Sequence, residues 1–129
     1  MRDAPSPAVV RWLDAQPALD VFIPALVLAE IHFGVARLPS GHRRDRLGNA
    51  VIELADTLYR GRIVPFDERA SRAYGSIAAH RRAEGRPIAQ MDALIAATAL
   101  AHDAMLATRN IRDFDDLDLQ LVNPFDYLR

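Results

Sequence analysis

The sequence predicts an α/β domain whose largely parallel sheet is covered by helices. Helical and strand-like segments alternate along the chain, and the strand-like ones are short and apolar enough to need cover on their faces. Pro and Gly fall singly between periodic stretches, as connections within one domain do, and there is no internal repeat or low-complexity linker. The 129 residues, 50% hydrophobic and 26% charged, suffice for one core and leave little room for two, so residues 1–129 read as a single domain.

Ser6 and Pro7 read as a cap and a first-turn proline, after which Val9, Val10 and Leu13 share one side of a short helix fading near Gln16. A strand is expected over 19–23. Pro24 then opens a helix with Leu26, Val27, Phe33 and Val35 apolar, closing near Leu38-Pro39-Ser40-Gly41. Leu47, Val51, Leu54 and Leu58 recur at steps of four, three and four, which predicts an amphipathic helix over 42–59 that Gly61 ends. Residues 62–66 read as a strand, and Asp67 caps a helix burying Ala70, Tyr74, Ile77 and Ala78 and stopping near Gly85-Arg86-Pro87. From Gln90 to His102 the chain is apolar almost all round beyond Asp92, as in a central helix packed on several sides. Short strands at 104–108 and 119–122 flank a charged loop, and the aromatic residues are mostly expected in the core.

Sixteen basic residues nearly cancel seventeen acidic ones, so the net charge of −1 excludes nucleic-acid binding driven by bulk positive charge and leaves a local basic patch open. With no cysteine there are no disulfides, thiol nucleophiles or zinc-thiolate sites, which fits a reducing compartment. No apolar run reaches the roughly 20 residues that span a bilayer, and the first residues lack a signal-peptide pattern, so a cytoplasmic protein is expected. Every basic residue is arginine, which binds phosphate as a fork.

The informative acids are those in apolar surroundings, where an unpaired carboxylate is costly. Glu30 has Leu26, Phe33 and Gly34 as helical neighbours, and Gly34 leaves space beside it; Asp92 precedes Ile95 and Ala96 on an otherwise buried face. Asp113 is the third, in Thr108-Arg109-Asn110-Ile111-Arg112-Asp113-Phe114. Each stands near a strand end or helix start, the edge where α/β sheets collect ligands. Three converging carboxylates repel one another unless a divalent cation neutralises them, and an oxygen-only donor set suits Mg²⁺ or Mn²⁺ better than Zn²⁺. Such a site commonly serves phosphoryl chemistry. Each acid also has a plainer reading: Asp92 as a helix N-cap, Glu30 as a helix acid paired with Arg37, Asp113 as a solvated turn acid beside Asp115, Asp116 and Asp118.

Through Ala29-Glu30-Ile31-His32-Phe33-Gly34, Asp92-Ala93-Leu94-Ile95-Ala96-Ala97-Thr98-Ala99, Thr108 to Phe114 and Val122-Asn123-Pro124-Phe125, the sequence resembles PIN-domain proteins, specifically VapC-type toxins of the FitB-like group. That resemblance implies a three-layer α/β/α sandwich and an acidic Mg²⁺ or Mn²⁺ site. It also implies an endoribonuclease leaving a 5′-phosphate and a 3′-hydroxyl, a cognate antitoxin partner, and homodimers. Glu30, Asp92 and Asp113 match the second, third and fourth family acids, with Asn110 and Thr108 as supporting polar groups. The family's first acid ends an apolar, central first strand in a Leu-Asp-Thr-Asn-like motif; neither is present here, and Asp3, between Arg2 and Ala4-Pro5, has no strand to carry it. The expectation is that Met1 corresponds to an internal methionine of a longer parent and that this chain alone is less stable or prone to associate.

RNA would reach the acids through Arg43, Arg44 and Arg46 at one helix start and through Arg109 and Arg112 in the acidic loop, whereas Arg81, Arg82 and Arg86 read as a solvated helix end. His32 and His102 read as packed or surface histidines. Two rivals stay open: a PIN-like module that no longer cleaves and acts by binding its antitoxin or operator complex, and a metal-dependent nuclease of DNA.

Overall fold

A computed structural model describes residues 7–126; Ser6 and Asp3 lie outside the described residues. Helix α1 (Pro7–Ala15) buries no residue and lies against the 3₁₀ turn Pro124–Asp126. The strand expected over 19–23 is only Ile23–Pro24 (β1), because Asp20 N–H turns back to the Pro17 carbonyl at 2.9 Å and makes a 3₁₀ turn of Ala18–Asp20. Pro24 has no N–H to continue a ladder and instead precedes α2 (Ala25–Ala36). After α3 (His42–Glu53) the same helical path widens into a π-helical turn at Leu54–Leu58, and β2 (Ile63–Val64) follows. Asp67 caps α4 (Glu68–Ala83) as expected, its side chain accepting the Ala70 N–H at 3.0 Å, and Gly85, at φ 72°, ends that helix in the left-handed region where glycine is least strained. Helix α5 (Gln90–Ala101), β3 (Leu106–Ala107) and β4 (Leu121–Val122) follow in the described chain.

The strands make two separate parallel pairs. Ile23 stands opposite Ile63 in one, and Leu106 opposite Leu121 in the other. Each strand is shorter than the apolar run around it, since a strand with one neighbour has only one row of partners to hold it extended. The central strand that the resemblance implies is not among the described residues.

The core divides in the same way. Ile77, Ala93, Ala96, Ala97 and Phe114 are buried against Leu106 and Leu121 of one pair, while Leu28, Val35 and Val51 are buried with Ile23 and Ile63 of the other. Helix α5 belongs mainly to the first half and packs along α4 through its alanines, whose small side chains let the two helices approach closely; it also touches α2. Its one interior polar residue, Thr98, is buried and satisfied by donating to the Leu94 carbonyl at 2.8 Å. The aromatic residues are less internal than expected: Phe114 is buried, but Phe22, Phe33 and Phe125 are exposed.

Candidate active site

Pro87 and the extended backbone of Ala89 (φ −57°, ψ 140°) set the start of α5, so Asp92 falls in its first turn rather than at its cap. The N-cap reading of Asp92 therefore fails, because Ala89 holds that position. Asp92 is half-buried, and its carboxyl is pushed above the usual range first by burial and second by the negative charge of Asp113. The unpaired N–H groups of the helix start favour the anion there, yet burial and the second carboxylate prevail. A cation between the two acids would reverse both effects.

Asp113 closes a 3₁₀ turn, Ile111–Asp113, in the loop after β3. Its N–H donates to the Asn110 carbonyl at 3.0 Å, and Asn110 N–H donates to Thr108 Oγ1 at 3.1 Å, so Thr108 and Asn110 shape the turn that presents the acid. Next in sequence, Phe114 is 3% exposed and anchors the turn in the core. Arg109 lies over the Phe125 ring at 4.8 Å, and Arg112 is exposed.

Glu30 lies in the middle of α2, not at a helix start, and on an exposed face rather than an apolar one. The place a Cβ would take at Gly34 has nothing within 4 Å, in keeping with open space one turn on. Arg37 sits over the Phe33 ring at 5.4 Å, and no ion pair joins it to Glu30 among the described residues. Glu30, Asp92 and Asp113 are not drawn to within 4.8 Å of one another; the structure brings Asp92 and Asp113 into electrostatic reach, with Glu30 on a helix that touches α5. Arg43 and Arg44 occupy the first turn of α3, where Arg44 lines a groove with His32, Asp45 and Asn49.

Among the described residues the group of three whose ligand atoms do lie within 4.8 Å of one another is elsewhere, the exposed His80, Glu84 and Asp116. Asp116 is already taken by arginines: Arg81 Nη2 stands 2.6 Å and Arg86 Nη1 3.7 Å from its carboxylate. The Arg81 hydrogen bond is the main reason its carboxyl is held below the usual range. Two guanidinium charges beside the same oxygens oppose a cation there.

Arg81 is the residue that sequence reasoning misplaced. It is 3% exposed, not solvated; its Nε donates to Asp116 Oδ1 and Oδ2 at 2.7 and 2.9 Å, and its Nη2 donates to the Asp113 carbonyl at 2.5 Å. The signal was present in the spacing. Positions 70, 74, 77 and 81 continue one helical face, so the arginine occupies a core register.

Among known proteins, the PIN domain family model matches residues 2–119. The chain is 38% identical over 122 residues to VapC ribonuclease Y4jK of Sinorhizobium fredii, covering 95% of this chain and 87% of that protein. It is 36% identical over 125 residues to Toxin FitB of Neisseria gonorrhoeae, covering 97% and 90%. The solved structure of FitAB bound to a DNA fragment superposes with a TM-score of 0.89 at 35% identity, covering 99% of this chain and 90% of that one. With helices around short parallel strands, a family model matched over residues 2–119 and relatives 36–38% identical over nearly the whole chain, the chain belongs to the PIN-domain family, alongside its VapC and FitB members.

Proposed function

We propose that this chain is the toxin of a toxin–antitoxin pair and cleaves RNA phosphodiester bonds as a Mg²⁺- or Mn²⁺-dependent endoribonuclease. The observation that carries the reading is the identity of 36–38% over nearly the whole chain to a VapC ribonuclease and to Toxin FitB, and the half-buried Asp92 in the first turn of α5 is in keeping with it. Two acids placed so that their charges are unfavourable without a counterion are what a cation site requires. The names of the relatives, a VapC ribonuclease and a toxin, support the same reading.

The donor set fits a hard cation: Asp92 and Asp113, completed by Glu30, offer carboxylate oxygens and no sulfur. A cation held by these carboxylates would supply Lewis acidity toward a water nucleophile and the scissile phosphate. The chain's own part is placement. The first turn of α5 fixes Asp92, the turn shaped by Thr108 and Asn110 presents Asp113, and α2 carries Glu30. Arg112, Arg43 and Arg44 attract the RNA backbone, and Arg109, seated on Phe125, adds charge beside the acidic loop. The antitoxin covers the toxin, and the toxin pairs as a homodimer; the solved FitAB and FitAcB structures support an antitoxin partner, FitAB being bound to a DNA fragment. That last observation also favours a second reading, in which the chain works through its antitoxin in an operator complex without cleaving.

A cleavage assay on single-stranded RNA and DNA across a Mn²⁺ titration, comparing the wild type with Asp92→Asn, tests the proposal. Metal-dependent RNA cleavage that falls by about 100-fold or more in the variant supports it. Undiminished cleavage by the variant removes Asp92 from the mechanism, and preference for DNA selects the other nuclease. No cleavage at any Mn²⁺ concentration, with antitoxin binding retained, selects the binding module.

A further inference from the structure

We propose that Arg81 is a positioning residue for the cation site: by gripping the Asp113 carbonyl and the Asp116 carboxylate at once, it sets where the Asp113 side chain stands relative to Asp92. The inference rests on the reading of Asp92 and Asp113 as ligands.

A guanidinium is costly to bury, and at a core register an aliphatic side chain would pack beside Ile77 without that cost. What an aliphatic residue cannot supply is direction. Four of the contacts of Arg81 go to one short segment: Nε reaches both Asp116 oxygens at 2.7 and 2.9 Å, while Nη2 reaches Asp116 Oδ1 at 2.6 Å and the Asp113 carbonyl at 2.5 Å. The turn's own bonds, Asp113 N–H to Asn110 and Phe114 N–H to Ile111, each 3.0 Å, are internal, so they hold its shape and not its place. Place comes from outside the turn, from the Phe114 ring in the core and the Arg81 fork on α4.

Helix α4 is also the right platform. It packs along α5, which carries Asp92, so Arg81 links the two acids through one rigid pair of helices. Arg86 adds looser contacts at 3.5 Å, to the Arg112 carbonyl and the Asp115 carboxylate, on the exposed side of the same turn. Residues that orient a metal ligand without touching the ion commonly govern affinity, because a ligand free to move gives up the advantage of being already in place.

Mn²⁺ affinity, read from free-ion electron paramagnetic resonance on the full chain at a temperature where each variant is folded by circular dichroism, tests the role. Arg81→Lys keeps the charge and loses the fork, and it should bind Mn²⁺ about tenfold more weakly. Asp116→Asn, which keeps Arg81 but weakens the ionic partner that holds its guanidinium, should weaken binding in the same direction. Asp67→Ala, which destabilises the far end of α4, should bind as the wild type does, and this separates positioning from general loss of stability. If Asp113→Asn loses Mn²⁺ while both Arg81→Lys and Asp116→Asn retain wild-type affinity, the positioning role is overturned and the cation reading survives. If Asp113→Asn binds Mn²⁺ normally, both are overturned.

Discussion

Replacing Phe114 by alanine tests the claim that the acidic turn is anchored by its own aromatic residue. The ring is 3% exposed, and a buried phenylalanine removes about 150–250 Å² from water. At about 25 cal/mol per Å² that burial is an upper bound of roughly 4–6 kcal/mol, and measured Phe→Ala changes in cores cost about 3–5 kcal/mol. The structure argues for the middle of that range. Ala93, Ala96 and Ala97 of the same cluster have no side-chain atoms that can swing into the hole, while Leu106, Leu117 and Leu121 can fill part of it, so the cavity closes only in part. We expect a loss of about 4 kcal/mol, or roughly 15 °C in Tm for a domain of this size, by circular-dichroism melting in metal-free buffer. Phe33→Ala is the internal control: 63% exposed, with Arg37 over its ring, it should cost about 1 kcal/mol or less. If the two variants melt within about 2 °C of each other, the ring of Phe114 is not an anchor and the account of the turn fails.

The two perturbed carboxyls have opposite signs. Asp116, held low chiefly by the Arg81 hydrogen bond, is protonated more readily in the unfolded chain; its stabilisation is present above the ordinary carboxylate range and is lost as pH falls through its folded value. Tm of the wild type should therefore drop more steeply on acidification than that of Asp116→Asn. Asp92, raised by burial and then by Asp113, holds its proton longer in the folded chain, so its contribution grows as pH falls through the raised value and disappears as pH rises. At neutral pH and without metal, Asp92→Asn should melt no lower than the wild type, and a lower Tm would show that the carboxylate is satisfied rather than strained. Asp67→Ala removes the cap that accepts the Ala70 N–H and should cost about 1 kcal/mol in a denaturant titration with m unchanged.

Much of the local structure was legible in residue order because it depends on neighbours within one or two turns. The cap at Asp67, the stop at Gly85, the start after Pro24 and the all-round apolar character of α5 are local effects of backbone conformation and spacing. The strands were legible only as places. Leu19 to Ile23 has the composition of a strand, but Pro17 and Asp20 close a 3₁₀ turn first, and the length of what remains depends on a partner across the ladder. Of the site, composition and motif picked out Asp92 and Asp113, which the structure brings within electrostatic reach, while Glu30 turned out to be exposed in mid-helix because burial depends on what packs from other segments.

Arginine 81 shows where the boundary lies. Chain order alone determined that position 81 continues the inner face of α4, since a helix repeats every 3.6 residues whatever surrounds it. Only the tertiary structure decided that a charge could remain there, because its partners, Asp113 and Asp116, lie more than thirty residues away in sequence. A buried ion is tolerated only when its hydrogen bonds are met, and no local pattern can report partners that folding alone brings together.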